Sequence, residues 1–405
     1  MKVLHVMTHF PWPPNNGARA DIWARLLAMK ELGYSVHVLV IGQKTPPSDR
    51  EMAEVKKVVD RIDLIDRRSA WECLASFKPT NIARNSPLAD FPLTQPYDVT
   101  IMEAEDTFPI CSNPTLKTSW RVIRIHNDEV NYLWEFARHE EKFIRRQFVR
   151  MEALRMIPYS KKAHRGVDSL WFISQDERQK FIAKYPADAD KAVWLPPSIL
   201  LGEAPKLAVA QGKRVLFVGN FYTSLNRDGL RWYLKHVHPV LMKDPDYDFI
   251  VVGSTLDRPA SHQFVEEIKK EPRCTVHADW PDPDPLYGEC AVFVNPMRSG
   301  AGVKLKSIHA IEKGIPVVST SIGNEGNGFL DREHLRVADT PEDFASAVTE
   351  LLSSHKLREE IASRAYNHLT TQYNSAKNID RLVTGSVSQA PRCDRGQHAE
   401  LSALK

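Results

Sequence analysis

The segment best suited to chemistry runs from Asn295 to Ser319. It reads as a strand, a Gly-rich loop, a helix that stops at Gly314, and a returning strand. Gly300 and Gly302 allow backbone N–H groups to approach a ligand closely, and Lys304 and Lys306 stand where the helix begins. Fixed donors, a helix N-terminus and mobile cations together make a cradle for a diphosphate. A second segment, His126-Asn127-Asp128-Glu129, follows the apolar run ending at Ile125. Four polar residues in succession are costly to bury, so they are expected to face a cleft, with a hydrogen-bonded structural histidine as the plainer alternative. A third, His9 to Arg19, is stiffened by Pro11, Pro13 and Pro14 and opens a helix at Gly17, where an anionic group can be met; a simple turn is the alternative. It lacks GxGxxG, so dinucleotide binding is not supported.

The elements that must carry these loops are short β-branched runs alternating with amphipathic stretches, the pattern of parallel sheets covered by helices. Strands are expected at Val3–Met7, Ser35–Ile41, Ile62–Ile65, Asp98–Met102, Arg121–Ile125 and Ser169–Ile173. The pattern breaks near Leu195-Pro196-Pro197. It then restarts with strands at Arg214–Val218, Asp248–Val252, Cys274–His277, Ala291–Asn295 and Ile315–Ser319, and a helix over Leu230–Leu241. Helices are expected over Pro341–Ser353 and His355–Gln372. The division is an N-terminal domain over 1–197, a linker over 198–213, a second domain over 214–372, a C-terminal helix over 373–384 crossing back to the first domain, and a flexible tail over 385–405. In open α/β sheets ligands gather at the carboxyl ends of the strands, so two such domains place the three loops along a cleft.

Composition narrows the classes further. Among 405 residues, Lys+Arg number 54 and Asp+Glu 51, a net +3 that does not suit a dedicated nucleic-acid binder. No apolar run approaches the roughly 20 residues of a membrane helix, and the N-terminus lacks the apolar stretch of a signal peptide. Five cysteines without CxxC spacing indicate neither a disulfide framework nor a zinc site, and a cytoplasmic location is expected. The stretch Arg138–Arg165 alternates basic residues with Phe143, Phe148, Met151, Leu154 and Ile157. It reads either as a surface helix packed on the sheet or as a face for anionic lipid or a charged acceptor, which would put the protein at the inner face of a membrane.

The Gly-rich segment resembles the donor-binding motif of the retaining GT-B glycosyltransferases of family 4, in the subgroup with a G-x-G-x-R-L-K-x-x-E-A core. Gly300, Gly302, Lys304 (for arginine), Leu305, Lys306 and Ala310 carry it. Arg214–Asn220 with Asn226, Gly229, Leu230, Trp232 and Pro239, and Pro316–Thr320 with Gly323–Gly326, fit the same pattern. So, more loosely, do Pro11-Trp12-Pro13-Pro14 with Gly17, and His126-Asn127. The resemblance implies an α/β fold of two Rossmann-like domains with parallel sheets. The second holds a UDP-, GDP- or ADP-sugar donor, the first holds a hydroxyl acceptor of unknown identity, and no metal or cofactor is required.

Carried over by position, Lys304 is the main diphosphate cation and stabilises the departing diphosphate. Gly302 and Val303 offer backbone donors, and Gly17, Asn220, Gly300 and Ala301 belong to the donor site. Arg227 is a further cation, the loop His277-Ala278-Asp279-Trp280 lies against the base, and His126 sits near the donor sugar. Retention needs no protein nucleophile; an inverting variant needs a carboxylate base, for which Asp128 or Glu129 stands in place. The family's paired glutamates, E-x7-E, are replaced by Ala301 and His309. A neutral histidine keeps one acceptor nitrogen for a ribose hydroxyl. The expected activity is sugar transfer, with retention of configuration, to a glycan, lipid-linked or cell-surface polysaccharide precursor. The alternatives are a catalytically weak GT-B-like subunit supporting another transferase and, less favoured, a sugar-nucleotide epimerase.

Overall fold

The computed structural model describes residues 1–14, 17–42, 45–73, 76–140, 142–199, 210, 212–300 and 302–389. The strands are β1 (Lys2–Met7), β2 (Ser35–Ile41), β3 (Arg61–Ile65), β4 (Tyr97–Glu103), β5 (Thr118–Ile125), β6 (Ser169–Phe172) and β7 (Ala192–Trp194), then β8 (Lys213–Val218), β9 (Tyr247–Gly253), β10 (Cys274–Ala278), β11 (Val292–Asn295), β12 (Val317–Ser319) and β13 (Arg336–Val337). Between them lie α1 (Gly17–Glu31), α2 (Asp49–Lys56), α3 (Thr80–Arg84), α4 (Glu129–His139), α5 (Phe143–Arg165), α6 (Gln175–Lys184), α7 (Ser224–His236), α8 (His238–Leu241), α9 (Pro259–Ile268), α10 (Asp284–Glu289), α11 (Leu305–Glu312) and α12 (Ser321–Asn324). The chain closes with α13 (Pro341–Ser353), α14 (His355–Gln372) and α15 (Ser375–Gln389).

Two sheets result, ordered β3-β2-β1-β4-β5-β6-β7 and β10-β9-β8-β11-β12-β13. Pairing is parallel from β3 to β5 in the first and throughout the second. Both orders reverse direction once, beside β1 and beside β8, and the loops at the carboxyl ends of those strands are where α/β sheets hold ligands. Central strands are largely apolar and buried because helices cover both faces: β1 is buried from Val3 to Met7 and β11 from Val292 to Asn295. This is the α/β GT-B architecture.

The described residues fall into two compact units. Met1–Trp171 and Tyr185–Val193 belong to the first, together with helix α15; Phe172–Lys184 and Trp194–Asn374 belong to the second. The chain thus passes between units more often than a division at 197 and 214 supposes. Most of the 198–213 stretch, 200–209 and 211, lies outside the described residues. Helix α15 packs on α1, β4 and β5, burying Ile379 and Val383 completely. Tyr34 donates to Asp380 Oδ1 at 3.0 Å. Residues 385–389, expected in the tail, continue this helix, and 390–405 lie outside the described residues.

Two expectations are corrected in detail. The helix over Leu230–Leu241 is two helices parted at Val237, because Pro239 lacks the N–H that a continuous helix requires. Helix α5 does pack on its unit, but through Val149, Ala153, Met156 and Ala163 with Glu152 and Ser160. The larger apolar residues Phe143, Ile144, Phe148, Met151, Leu154 and Ile157 face outward.

Candidate active site

In the second unit the Gly-rich loop leaves β11 and enters α11. Gly300 and Gly302 have φ of 109° and 81°, a region that residues with a Cβ rarely enter. Lys304 is the N-cap residue of α11 and is 7 % exposed. Its Nζ folds back to donate to the carbonyls of Gly300 at 3.0 Å and Gly302 at 2.5 Å. Burial lowers its pKa, against the opposing pull of Glu325 and Glu177. Lys306 donates to Asn226 Oδ1 at 2.5 Å and lies 5.0 Å over the Phe217 ring. Burial, then Lys304, lowers Lys306 to about 7.

Asn226 in turn ties α7 to the loop after β8. Its Nδ2 donates to the Asn220 carbonyl at 2.9 Å and to Asn220 Oδ1 at 3.0 Å, and Thr223 Oγ1 donates to the same Oδ1 at 2.6 Å. Arg227, half-buried, donates to the Phe221 carbonyl at 2.7 Å. Thus Asn220, Asn226 and Lys306 form one hydrogen-bonded group at the carboxyl edges of β8 and β11, with Lys304 near it on the Gly-rich loop. Val303 packs beside this group against Gly326, whose N–H donates to Asp176 Oδ2 at 3.1 Å. Ala301 lies outside the described residues.

His277 and Trp280 sit at the end of β10 with ring centroids 4.5 Å apart, and Trp280 presents about half its surface to solvent. Asp279 between them holds the turn, accepting from Thr255 N at 2.8 Å and Thr255 Oγ1 at 2.5 Å. His309 meets Glu312 Oε2 through Nδ1 at 3.1 Å and Asp284 Oδ1 through Nε2 at 3.2 Å. Burial disfavours its charge, yet Glu312 and Asp284 outweigh that and raise its pKa. Lys313 also donates to Asp284, at 2.6 Å. A carboxylate thus faces each ring nitrogen of His309, and these carboxylates are further acceptors beside it.

In the first unit the focus is Glu103, the last residue of β4. Its carboxylate is 4 % exposed and accepts three donors: His5 Nε2 at 2.6 Å and Arg25 Nη2 at 2.5 Å on Oε1, and His126 Nε2 at 2.7 Å on Oε2. Asp21, buried on α1, pairs with Arg25 at 3.0 Å and Arg124 at 3.4 Å. Burial opposes the charge on Glu103, but Arg25 and the two histidines hold its pKa well below the carboxylate range. With Glu103 on Nε2, Nδ1 is the ring atom of His126 left to meet a hydroxyl. Asp21, Glu103 and His126 bring ligand-type atoms within 4.8 Å of one another. Arg25 and Arg124 already neutralise both carboxylates, so the cations of this cluster are guanidinium groups.

Asp128 is the N-cap of α4: Oδ1 accepts from Asn131 N at 3.1 Å and Oδ2 from Asn131 Nδ2 at 2.9 Å. The next residue, Glu129, is lifted to about 7 by burial and then by Glu105 and Asp106. A carboxylate tuned to that range suits acid–base work. Gly17 is the first residue of α1, exposed, and follows two residues outside the described set. The structure therefore gathers Asn220, Arg227, Gly300, Gly302, Val303 and Lys304 around one sheet edge, and sets His126 and Asp128 in succession at another. Glu103 and Asp284 join these groups without having been singled out from sequence. Lys306 lay within the quoted motif, whereas Glu103 showed only as an acidic residue ending an apolar run.

These two doubly wound units, one with a lysine-bearing Gly-rich loop, define a glycosyltransferase of GT-B fold, and residues 212–354 match the family described as Glycosyl transferases group 1. Over 392 residues the chain is 31% identical to the "Uncharacterized 44.6 kDa protein in cps region" of Klebsiella pneumoniae, covering 93% of this chain and 97% of that one. It belongs to the same family as that protein. Among solved structures it resembles S. aureus TarM, crystallised as a variant with fondaparinux, alpha-GlcNAc-glycerol and UDP (TM-score 0.65, 12% identity, 95% of this chain and 100% of that one). It also resembles Anabaena HepE with UDP and glucose (0.65, 12%, 96% and 100%) and sucrose-phosphate synthase of Thermosynechococcus elongatus (0.66, 13%, 96% and 100%). At these identities the likeness is one of fold.

Proposed function

We propose that the protein transfers a sugar from a nucleotide diphosphate sugar to a hydroxyl of a glycan or lipid-linked polysaccharide precursor, with retention of configuration. The observation that carries this reading is the bonded group of Lys306, Asn226 and Asn220 beside Lys304, which closes on Gly300 and Gly302. Backbone donors and two buried lysines lie there, where an anion can be met. The UDP bound to TarM and HepE supports a nucleotide donor, and the cps-region setting of the Klebsiella relative supports a polysaccharide product.

In this reading the diphosphate displaces the Gly300 and Gly302 carbonyls as partner of the Lys304 ammonium and restores the full charge of Lys306, so that no metal is needed. The base lies on Trp280, and the ribose hydroxyls donate to Glu312 or Asp284. The acceptor oxygen bonds to the anomeric carbon as the bond from that carbon to phosphate breaks. The departing phosphate oxygen takes the acceptor's proton on the same face. The protein contributes position and charge, with His126 Nδ1 accepting from a sugar hydroxyl.

Calorimetric titration of UDP, GDP and ADP tests the donor site. One of them is expected to bind, and Lys304→Ala to weaken it by one to two orders of magnitude, about 1.5–3 kcal/mol. Equal affinities in the two proteins remove Lys304 from the site. The replaced glutamates favour a second reading, a catalytically weak subunit. Hydrolysis of the matching nucleotide sugar by the purified protein alone argues against that, and binding without hydrolysis argues for it.

A further inference from the structure

The observation that the donor site does not use is helix α5. It has 23 residues, about 34 Å at 1.5 Å per residue. A surface helix ordinarily turns its largest apolar residues inward. Here they point out: Phe143 is 64 % exposed, Ile144 84 % and Leu154 58 %, with Phe148, Met151 and Ile157 each more than a third exposed. Val149, Ala153, Met156 and Ala163 suffice to seat the helix, so this outer row contributes little to the fold.

Charge says what covers it. From Lys142 to Arg165 there are eight Lys or Arg and one carboxylate, Glu152. That glutamate is buried, accepting from Thr80 N at 2.6 Å and from Arg155 at 3.1 Å, so the outward face carries no acid of its own. At the N-terminal end Glu140 pairs with Arg145 at 3.1 Å. The guanidiniums of Arg145 and Arg146 lie 5.4 and 5.7 Å over Phe136 and Phe143, cation over ring at the edge of the apolar row. A groove of about 620 Å³ opens among Lys142, Phe143, Ile144, Arg145 and Phe148. Large apolar side chains flanked by basic residues match a bilayer interface, where rings and aliphatic chains enter the acyl boundary and guanidiniums meet phosphate.

We infer that α5 is a docking helix for an anionic lipid bilayer, lying in the plane of the membrane with the row from Phe143 to Ile157 inserted. A second copy of the chain fits less well, because self-pairing brings two strongly basic faces together. The inference is independent of the donor reading, since it rests on no residue of either site.

Co-sedimentation with vesicles tests it. The full chain is expected to bind vesicles of equal parts phosphatidylglycerol and phosphatidylcholine, to leave pure phosphatidylcholine in solution, and to be released by high salt. The double variant Ile144→Ser, Phe148→Ser removes only exposed side chains, so its circular dichroism and melting should match the parent. Its partition coefficient should fall at least about tenfold. Reversal at Arg150→Glu should cost about fivefold or more in the same assay. Failure of the parent to sediment with anionic vesicles at low salt overturns the inference. So does an unchanged partition coefficient in the folded double variant. A concentration-dependent dimer that the double variant abolishes, without vesicle binding, assigns the face to self-association instead.

Discussion

Glu103 concentrates more donors on one carboxylate than any residue described above, and its burial makes each of them matter. Glu103→Gln keeps the shape but replaces one acceptor oxygen by an amide donor facing His5, Arg25 or His126. Breaking a buried ion pair by removing one partner costs about 3–5 kcal/mol, so denaturant unfolding of this variant is expected to shift by that order. If the midpoint moves by less than a fifth of that, the network is not what holds β1, β4 and α1 together. His309 gives a prediction in pH. Its pKa in the folded protein is raised by Glu312 and Asp284, so its contribution to stability is complete below the unfolded value near 6.5 and fades as pH rises through the folded one. His309→Ala should therefore lower the melting temperature at pH 6 and lower it less at pH 9. An equal loss at both pH values would mean that packing against Tyr287, 5.2 Å away, is all that the residue supplies.

Among elements, the loop between β11 and α11 has the clearest prediction. A Cβ on Gly302 would meet nothing within 4 Å, so Gly302→Ala costs only the left-handed backbone, about 1–2 kcal/mol. A loss is expected in nucleotide affinity, up to about tenfold by calorimetry, with the melting temperature lowered by only a few degrees. A large fall in melting temperature with intact affinity would relocate the glycine's purpose to the fold. This loop was legible because glycines, lysines and two flanking strands are neighbours in the chain. The strands were legible too, since burial on both faces makes them continuous apolar runs. The rest hid for physical reasons. Glu103 meets His5, Arg25 and His126 at separations of 98, 78 and 23 residues, which no local pattern reveals. Helix α5 has apolar residues on both its rows, and periodicity alone does not say which row turns inward. Strands β7 and β13 have three and two residues, too short for an alternating pattern.

At the scale of the whole molecule, the division into units is not a division of the sequence. The first unit is closed by α15, which arrives after all of the second unit has been made. Ile379 and Val383, both fully buried, would leave an apolar face on α1, β4 and β5 uncovered if the chain stopped after Tyr373. Such a truncation is expected to bind a hydrophobic dye and to lose the sharp unfolding of the first unit while the second still melts cooperatively. An unaltered first transition in calorimetry would show the helix to be dispensable. During synthesis the same feature sets an order of events. The second unit can complete its core while the first still has an open flank, and only the arrival of α15 lets it close. A fusion that pulls on the C-terminus, or a pause just before Ser375, thus acts on the domain made first.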